Sequence, residues 1–447
     1  MATGTGTPNP GRALVAASLA KVCDSSGDFE PVTMVSDRLD VRDRRLALRI
    51  LRHGLQRWIT IEHLLERFLR QPVGALEPVL RGILVSAAAQ LLFMDRQPAH
   101  AVVNDSVQLA RDRVRPGAGG LANAVLRRLH ELIDRRFQGI AWRPGSDRLP
   151  LEDGYVRFVE PCLPPPCEWQ RHLSLATSHP PHLIARWSGQ FGRTRTVRMC
   201  LNGLRTPPTI VAVEPGEQPP GLDGAAEPHA DAGFVLWRRS RDELSGFLSA
   251  HPSRRVQDPG AAEPIRALAG SAAPLYVLDY CAGLGTKTAQ LLDLYGDARI
   301  VATDVQEDRL AELRRRFAGQ PNVQVVEPQS LRPFNGRVDL LVLDVPCSNT
   351  AVLSRRPEAR YRYGAESIGS LLRLQRDIAT RTVPLLSPRG TVLYSTCSLD
   401  EAENQQQVRW ICERFDLYPV QSALRLPRGR ERSYRDGCFY SIMRASG

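Results

Sequence analysis

Two cysteines follow β-like runs in the C-terminal half of the chain. Cys347 comes after LLVLDVP and Cys397 after VLYST. A thiol becomes a strong nucleophile when it ionises, but a free cysteine, with a pKa near ~8.5, is only a few per cent thiolate at neutral pH. A buried cysteine is more often an inert apolar side chain. Two thiols at the ends of strand-like runs, one of them close to Asp344, instead indicate a reactive site.

A glycine-rich turn, DYCAGLGTKT, ends an earlier β-like run. Gly283 and Gly285 let the backbone approach a ligand closely, and Asp279 stands at the end of the run. Asp304 ends the next run and is placed to accept hydrogen bonds from ribose hydroxyl groups. The pattern therefore fits a nucleoside-containing cofactor. A nicotinamide dinucleotide is disfavoured because Thr288 stands where its fingerprint needs a third glycine.

From Ala273 onward, short β-rich strings alternate with helical segments. The strings are LYVLDY, RIVATDV, VQVVE, VDLLVLDV and GTVLYST. This alternation predicts a Rossmann-like α/β domain with a parallel, doubly wound sheet over residues 266–447. Ligands of such sheets bind beyond the carboxyl ends of the strands, so we expect the glycine-rich turn and both cysteines to share one edge.

The N-terminal half predicts an all-α bundle and smaller connecting parts. Apolar residues recur at helical spacing between Val41 and Ile133, as helices that pack against each other require. We expect a mobile leader at 1–38, a helical domain at 39–141, a Pro-rich linker at 142–169 and a small α+β subdomain at 170–265. Within that subdomain, a loop is predicted from Pro215 to Gly233.

The charge of the chain indicates a polyanionic partner. The 447 residues carry a formal net charge of +11, and Lys21 and Lys287 are the only lysines. Arginine forks onto phosphates and stacks on bases, although genomic base composition could also explain its excess. The nine cysteines show no regular spacing, and no apolar run approaches the roughly 20 residues of a membrane helix. We therefore expect a cytoplasmic monomer without a disulfide framework, metal site or membrane segment.

The motifs of the C-terminal half resemble the Sun-type (NOL/NOP/Sun) RNA cytosine-5 methyltransferases. That family's patterns read Asp-x-Cys-Ala-Ala-Pro-Gly-Gly-Lys-Thr, Asp-Ala-Pro-Cys-Ser and Ser-Thr-Cys-Ser, and the likeness runs from about Gln257 to the end. QDPG, EAEN and DGCFYSIM also resemble family features. The resemblance implies methyl transfer from S-adenosylmethionine to C5 of a cytosine in RNA.

The helical domain resembles the NusB family of RNA-binding antitermination factors. The likeness lies in LRGILVSAAAQLLFMDRQPAHAVVNDSVQLAR, followed by GGLANAVLRRL. It implies contact with RNA, and the alternative is a helical module that only braces its neighbour. A NusB-like domain before a Sun-type domain is similar to the arrangement in the bacterial enzyme that methylates 16S ribosomal RNA. We therefore expect 16S rRNA, or a small-subunit assembly intermediate, as the partner.

The resemblance also implies roles for individual catalytic residues. Cys397 is the expected nucleophile; it would add to C6 of cytosine, because C5 is too weak a nucleophile to take the methyl group unaided. Cys347 would help to release the methylated product. Lys287 is the nearby cation that would favour the thiolate. Asp344 would hydrogen-bond the N3 edge of the base, unless it only caps its strand.

Two larger sets of residues complete the expected site. The cofactor set is Asp279, Cys281, Ala282, Gly283, Leu284, Gly285, Thr286, Lys287, Asp304, Gln329 and Asp344. The RNA set is Arg355, Arg356, Arg360 and Arg362, interleaved with Tyr361 and Tyr363. These side chains would hold phosphates and stack beside a single-stranded or flipped-out base. A solvated basic loop is the alternative for the RNA set.

The cofactor segment departs from the family pattern. Gly283, Leu284 and Thr286 replace an alanine, a proline and a glycine. The family's adenine-side aspartate after the third strand is also missing, so that Glu327 or Gln329 would have to take its place. These changes put cofactor binding in some doubt.

The catalytic segment departs less, since Val345 and Asn349 replace an alanine and a glycine while both cysteines remain. A non-catalytic RNA-binding assembly factor is therefore disfavoured. A DNA cytosine methylase would place its nucleophile in a Pro-Cys motif, which here means Cys347. A transfer RNA target remains open within the same chemistry.

Overall fold

The computed structural model describes residues 8–24, 39–213 and 224–445. The chain divides into two units. One comprises Met1–Thr206 and Leu353–Gly364, and the other comprises Pro207–Val352 and Ala365–Gly447. The statements on structure below concern the described residues alone.

The first unit is built on a helical bundle. An uninterrupted apolar core explains the bundle, since Leu19, Ile50, Ile61, Leu84 and Leu126 are all completely buried. The side chain of Asp40 accepts a hydrogen bond from the Asp43 amide and so caps the second helix. The helices are α1 (Pro10–Asp24), α2 (Val41–Gln56), α3 (Trp58–Glu66), α4 (Pro78–Phe93), α5 (Ala99–Arg113) and α6 (Pro116–Glu131). The predicted helical bundle is confirmed.

Helix α1 corrects the prediction of a mobile leader at 1–38. Val15 and Leu19 point into the core with no exposed surface. Arg12 forms an ion pair with Asp105 at 2.6 Å. Gly82 of α4 permits the close approach of α1, because a Cβ atom there would lie 2.5 Å from the Ala16 carbonyl oxygen. The leader's overall Gly, Thr and Pro content obscured this helix, and residues 1–7 and 25–38 of the leader lie outside the described residues.

The predicted Pro-rich linker at 142–169 also contains regular structure. Leu149 and Val156 are fully buried, so these short strands pack like core elements despite the surrounding prolines. The strands β1 (Ile133–Phe137), β2 (Arg148–Pro150) and β3 (Tyr155–Phe158) form an antiparallel sheet in the order β1-β3-β2. Helices α7 (Trp169–Thr177) and α8 (Pro181–Asn202) follow, with a break in α8 at Gly192.

The predicted subdomain at 170–265 is divided between the two units. Helices α7 and α8 belong to the first, whereas a four-stranded sheet in the order β5-β6-β4-β7 belongs to the second. Its elements are β4 (Ile210–Ala212), β5 (Ala226–Pro228), β6 (Phe234–Trp237), α9 (Arg241–Ala250) and β7 (Arg255–Val256). Residues 214–223, which fall in the predicted loop, lie outside the described residues.

A seven-stranded sheet forms the centre of the second unit, in the order β10-β9-β8-β11-β12-β14-β13. Its strands are β8 (Tyr276–Asp279), β9 (Arg299–Ala302), β10 (Val323–Val325), β11 (Val338–Asp344), β12 (Leu386–Thr396), β13 (Leu417–Arg425) and β14 (Cys438–Ala445). The first five are parallel to one another, and the chain reverses its direction of winding between β8 and β11. Such a switch point opens a ligand crevice at the carboxyl ends of the strands.

Helices alternate with the strands of this sheet, as the sequence pattern predicted. They are α10 (Pro259–Arg266), α11 (Thr286–Leu294), α12 (Glu307–Phe317), α14 (Ala365–Thr382) and α15 (Gln405–Phe415), while the short α13 (Ala359–Arg362) belongs to the first unit. The Rossmann-like prediction is confirmed, with one addition. Strand β14 runs antiparallel to β12 and β13, so the sheet is mixed and not wholly parallel.

Candidate active site

Two thiols meet at the carboxyl ends of β11 and β12. These strands are parallel and place Asp344 opposite Ser395, so the residues that follow leave the sheet side by side. The Sγ atoms of Cys347 and Cys397 lie 3.2 Å apart, which is well beyond the ~2.05 Å of a disulfide bond, and both residues are free cysteines. Cys347 is only 9% exposed, whereas Cys397 is partly accessible. The predicted pair of neighbouring thiols is therefore present.

The two thiols differ in their surroundings. The hydrogen bond from Cys347 to Cys397 and the burial of Cys347 raise the pKa of Cys347 well above its ordinary value, although the backbone amide of Asn349 acts in the opposite direction. Cys347 thus stays a thiol at neutral pH and can donate a hydrogen bond to the neighbouring sulfur.

Glu403 holds together the loops that carry the thiols. Its carboxylate accepts hydrogen bonds from the amide and hydroxyl of Ser348 and from the hydroxyl of Ser398, the residues directly after the two cysteines. Gln375 adds a fourth donor at 3.1 Å. Burial raises the pKa of Glu403, and the serine donors oppose this rise. The sequence analysis noted EAEN without assigning it a role, so this residue was missed.

Lys287 and Asp344 form the charged part of the site. The Lys287 ammonium lies 2.6 Å from Asp344 Oδ2, and Oδ1 of the same carboxylate accepts a hydrogen bond from the Ser395 hydroxyl at 2.7 Å. Burial lowers the pKa of Lys287, but the attraction and hydrogen bond of Asp344 outweigh it, with a smaller contribution from Cys397, and the net shift is upward. Lys287 therefore stays charged, and its charge interacts with Cys397 as predicted.

The glycine-rich turn follows β8. Gly285 has a φ of +77°, and a Cβ atom there would lie 2.5 Å from Phe317, so this position requires glycine. Gly283 has a φ of +57°, but a Cβ atom there would meet nothing within 4 Å. Asp304 fixes the turn by accepting a hydrogen bond from the Gly283 amide at 3.0 Å. The turn is thus anchored on one side and open on the other.

Asp279 lies beneath this turn with no exposed surface. Its Oδ2 accepts a hydrogen bond from the Thr288 hydroxyl at 2.7 Å, while its Oδ1 has no hydrogen-bond partner within the described protein. Burial raises the pKa of Asp279 to about 7, against the opposing effect of Thr288. A buried carboxylate oxygen without a donor is costly and suits a site that a ligand completes.

Two protein families match parts of the chain, one in each half. Residues 270–423 match the family described as 16S rRNA methyltransferase RsmB/F, and residues 12–131 match the NusB family. Residues 270–423 are therefore similar to an RsmB/F methyltransferase domain, and residues 12–131 are similar to a NusB domain.

Curated relatives resemble the chain over almost its whole length. A protein of Vibrio cholerae named ribosomal RNA small subunit methyltransferase B is 28% identical over 97% of this chain and 96% of its own. A protein of the same name from Pseudomonas putida is 27% identical over 91% of each chain. The crystal structure of PH0851 covers 99% of this chain with a TM-score of 0.69 and 18% identity, and so shares the fold.

The family that matches residues 270–423 is one of methyltransferases, and S-adenosylmethionine is the expected cofactor of this domain. The residues present fit this molecule, because Asp279 offers an unpartnered acceptor and the turn is open at Gly283. The departures at Gly283, Leu284 and Thr286 leave the turn in place, since Thr286 begins α11 and Leu284 is 59% exposed. The other expected cofactor residues in this turn, Cys281 and Ala282, lie between β8 and Gly283. Within the described residues, no metal-binding cluster is found.

The two residues expected to replace the family's adenine-side aspartate lie close together. Glu327 and Gln329 follow β10 and are exposed. The Gln329 amide donates to Glu327 at 2.6 Å, so the two side chains form one polar group.

Of the four arginines expected to bind RNA, Arg360 has a different role in the structure. Arg360 has no exposed surface and belongs to the first unit. Its guanidinium donates to the backbone carbonyls of Gln56, Thr177, Ser178, Gly203, Leu353 and Pro357. Because these donors already serve the protein, Arg360 is a structural residue and not a phosphate contact. Arg356 is exposed, while Arg355 and Arg362 are half-buried.

The tyrosines between these arginines are also used internally. The Tyr361 hydroxyl donates to the Leu55 carbonyl at 2.6 Å. Tyr363 is 9% exposed and stacks on His182 with ring centroids 6.0 Å apart. The expectation that they stack on RNA bases is therefore wrong for the arrangement seen here, because a charge and aromatic pattern does not distinguish a buried tether from a solvated loop.

Proposed function

We propose that the protein transfers a methyl group to C5 of a cytosine in 16S ribosomal RNA, with Cys397 as the covalent nucleophile. The observation that carries the proposal is the pair of free thiols, 3.2 Å apart at the carboxyl ends of β11 and β12. Of the two, Cys397 is the more accessible and Cys347 is held as a thiol. This division favours Cys397 over the Pro-Cys thiol that a DNA cytosine methylase would use.

The proposed reaction begins when the Cys397 thiolate adds to C6 of the base. A bond forms between Sγ and C6, and the electron pair of the C5–C6 double bond moves to C5. S-adenosylmethionine supplies a methyl group on a positively charged sulfur. C5 would bond to this methyl carbon as the bond between that carbon and the sulfur breaks, leaving its electron pair on a neutral sulfur. C5 would then lose its proton to a base. The electrons of the C5–H bond restore the double bond, and the Sγ–C6 bond breaks to return the thiolate.

Three neighbours assist this chemistry. Lys287 places a positive charge that interacts with Cys397, the sulfur that carries negative charge in the proposed reaction. Asp344 can accept a hydrogen bond from N3 of the base when N3 is protonated in the adduct, once the carboxylate exchanges its contact with Lys287 or Ser395. The Cys347 thiol can donate a hydrogen bond to the departing Cys397 sulfur, which would favour release of the methylated product.

The choice of 16S rRNA rests on the RsmB/F match and on the curated relatives, whose names specify the ribosomal small subunit. The NusB match and the net charge of +11 support an RNA partner. Transfer RNA is the competing substrate, and the target base must be single-stranded or flipped out to reach the thiols.

The test is covalent trapping with 5-fluorocytosine-substituted RNA. Fluorine at C5 cannot leave as a proton does, so the adduct should persist through denaturation. We expect adducts with 16S rRNA and S-adenosylmethionine for wild type and for Cys347→Ala, and none for Cys397→Ala. Loss of adduct with Cys347→Ala alone would transfer the nucleophile to Cys347. Adducts with transfer RNA only would change the substrate, and absence of both adduct and methyl transfer would favour an assembly factor.

A further inference from the structure

Asn349 bridges the two cysteine-bearing loops. The Cys397 thiol donates to Asn349 Oδ1, with Sγ and Oδ1 3.0 Å apart. The amide nitrogen of the same side chain donates to the Cys347 carbonyl oxygen at 2.9 Å. One side chain therefore contacts the proposed nucleophile and the backbone of the second cysteine. The family pattern quoted above has glycine here, which could not form this bridge.

The Cys347 carbonyl determines which end of the amide faces the thiol. A carbonyl oxygen accepts hydrogen bonds and cannot donate, so the Asn349 NH2 group must point towards it. The amide oxygen is then left facing Cys397. This oxygen accepts a hydrogen bond from a thiol, whereas a thiolate has no hydrogen to donate and would be repelled by it, so the contact must break when Cys397 acts as a nucleophile.

The backbone of the turn does not depend on this side chain. Asn349 has a φ of +59°, a conformation that asparagine tolerates and glycine adopts freely. The Ala351 amide donates to the Cys397 carbonyl at 2.9 Å, and the Thr350 hydroxyl accepts from the Leu399 amide at 2.9 Å. These contacts would hold the turn in an Asn349→Gly variant, so the amide can be removed without removing the turn.

We propose that Asn349 is a positioning residue that holds the Cys397 thiol in a hydrogen bond until RNA binds, so that formation of the nucleophile requires the amide to move away. The inference rests on the proposed role of Cys397. The Asn349 amide restrains the Cys397 thiol, which would otherwise be exposed to adventitious electrophiles beside the charged Lys287. Binding of the base would replace the Asn349 contact and release the sulfur.

The test is the rate at which iodoacetamide alkylates Cys397 in the full-length protein without RNA, measured by peptide mass spectrometry from pH 6 to 10. At pH 7, Asn349→Gly should be alkylated about fivefold faster than wild type, the factor that corresponds to one hydrogen bond of about 1 kcal/mol. The two rates should converge at high pH, where the thiolate predominates in both. Asn349→Asp should react more slowly than wild type at pH 7, because its charge repels the thiolate.

Cys412, on α15, is the internal control and should react equally in all three proteins. Identical profiles for wild type and Asn349→Gly would overturn the proposal. An equal increase at every pH would overturn it too, because that result means better access and not a changed proton equilibrium. Since no RNA is present, failure here is distinguishable from failure of the trapping experiment, which tests the nucleophile itself.

Discussion

Two buried carboxylates in the methyltransferase unit have opposite surroundings. Asp279 and Glu403 both have no exposed surface. Glu403 receives four hydrogen bonds, from Ser348, Ser398 and Gln375. Asp279 receives one from Thr288 and leaves its other oxygen without a partner. The difference indicates that Glu403 is a structural tether for the cysteine loops, whereas Asp279 is prepared for a ligand.

The largest effect should follow from breaking the tether. In Glu403→Gln, the NH2 group cannot accept from the serine hydroxyls, so donors are left unpaired in a buried site. We expect a loss of about 2–4 kcal/mol in the free energy of unfolding, measured by urea denaturation. The turnover number for methyl transfer should fall because both thiol loops lose their shared anchor.

Glu401→Gln is the matched control for this prediction, since Glu401 is exposed two residues earlier on the same loop. It should leave both stability and turnover unchanged. If Glu403→Gln were as stable as Glu401→Gln, the fully satisfied network around Glu403 would contribute nothing to the fold, and the contrast with Asp279 would lose its basis.

The second effect concerns Asp279, the carboxylate that has an oxygen without a hydrogen-bond partner. Its folded-state pKa of about 7 lies above the ordinary value of 3.8, so the ionised form destabilises the free protein above pH 7. This penalty disappears as pH falls through about 7 towards 3.8. Asp279→Asn should therefore stabilise the free protein at pH 8 by about 1–2 kcal/mol, yet weaken S-adenosylmethionine binding about tenfold or more. Calorimetric titration and thermal unfolding measure the two effects.

The same carboxylate should make cofactor affinity depend on pH. Wild type should bind more weakly at pH 6 than at pH 8, because protonation removes the negative charge of Asp279. Asp279→Asn should lack this dependence. Asp308→Asn, at an exposed position on α12, should behave as wild type in both measurements. An Asp279→Asn protein that is less stable and binds normally would make Asp279 a structural residue like Glu403.

Much of the candidate site was predictable because its residues lie where strands end. Asp279, Asp304, Asp344 and both cysteines follow β-like runs, and a parallel sheet brings the carboxyl ends of neighbouring strands to one edge. Strand order is not evident from one sequence, but the expected common edge requires only parallel strands.

The tethers were not predictable in the same way. Arg360 reads as part of a basic loop, and its burial depends on carbonyl groups contributed by residues about 150 to 300 positions earlier in the chain. Glu403 likewise depends on two serines from different loops. Helix α1 was obscured by the composition around it, and β14 pairs antiparallel with β12 through contacts that alternation does not encode.

The smallest effect should come from the single donor to Asp279. Thr288→Val keeps the shape of the side chain but removes the hydroxyl that lies 2.7 Å from Oδ2. The loss should cost about 1 kcal/mol at pH 8 and raise the pKa of Asp279 further, because Thr288 now opposes the effect of burial. The pH at which cofactor affinity declines should move upward, as titration calorimetry across pH 6 to 9 would detect. Thr288→Ser should restore the wild-type profile. If instead Thr288→Val leaves the profile in place, another group must be responsible for the pH dependence, and the orphaned oxygen of Asp279 would not be the acceptor that awaits the cofactor.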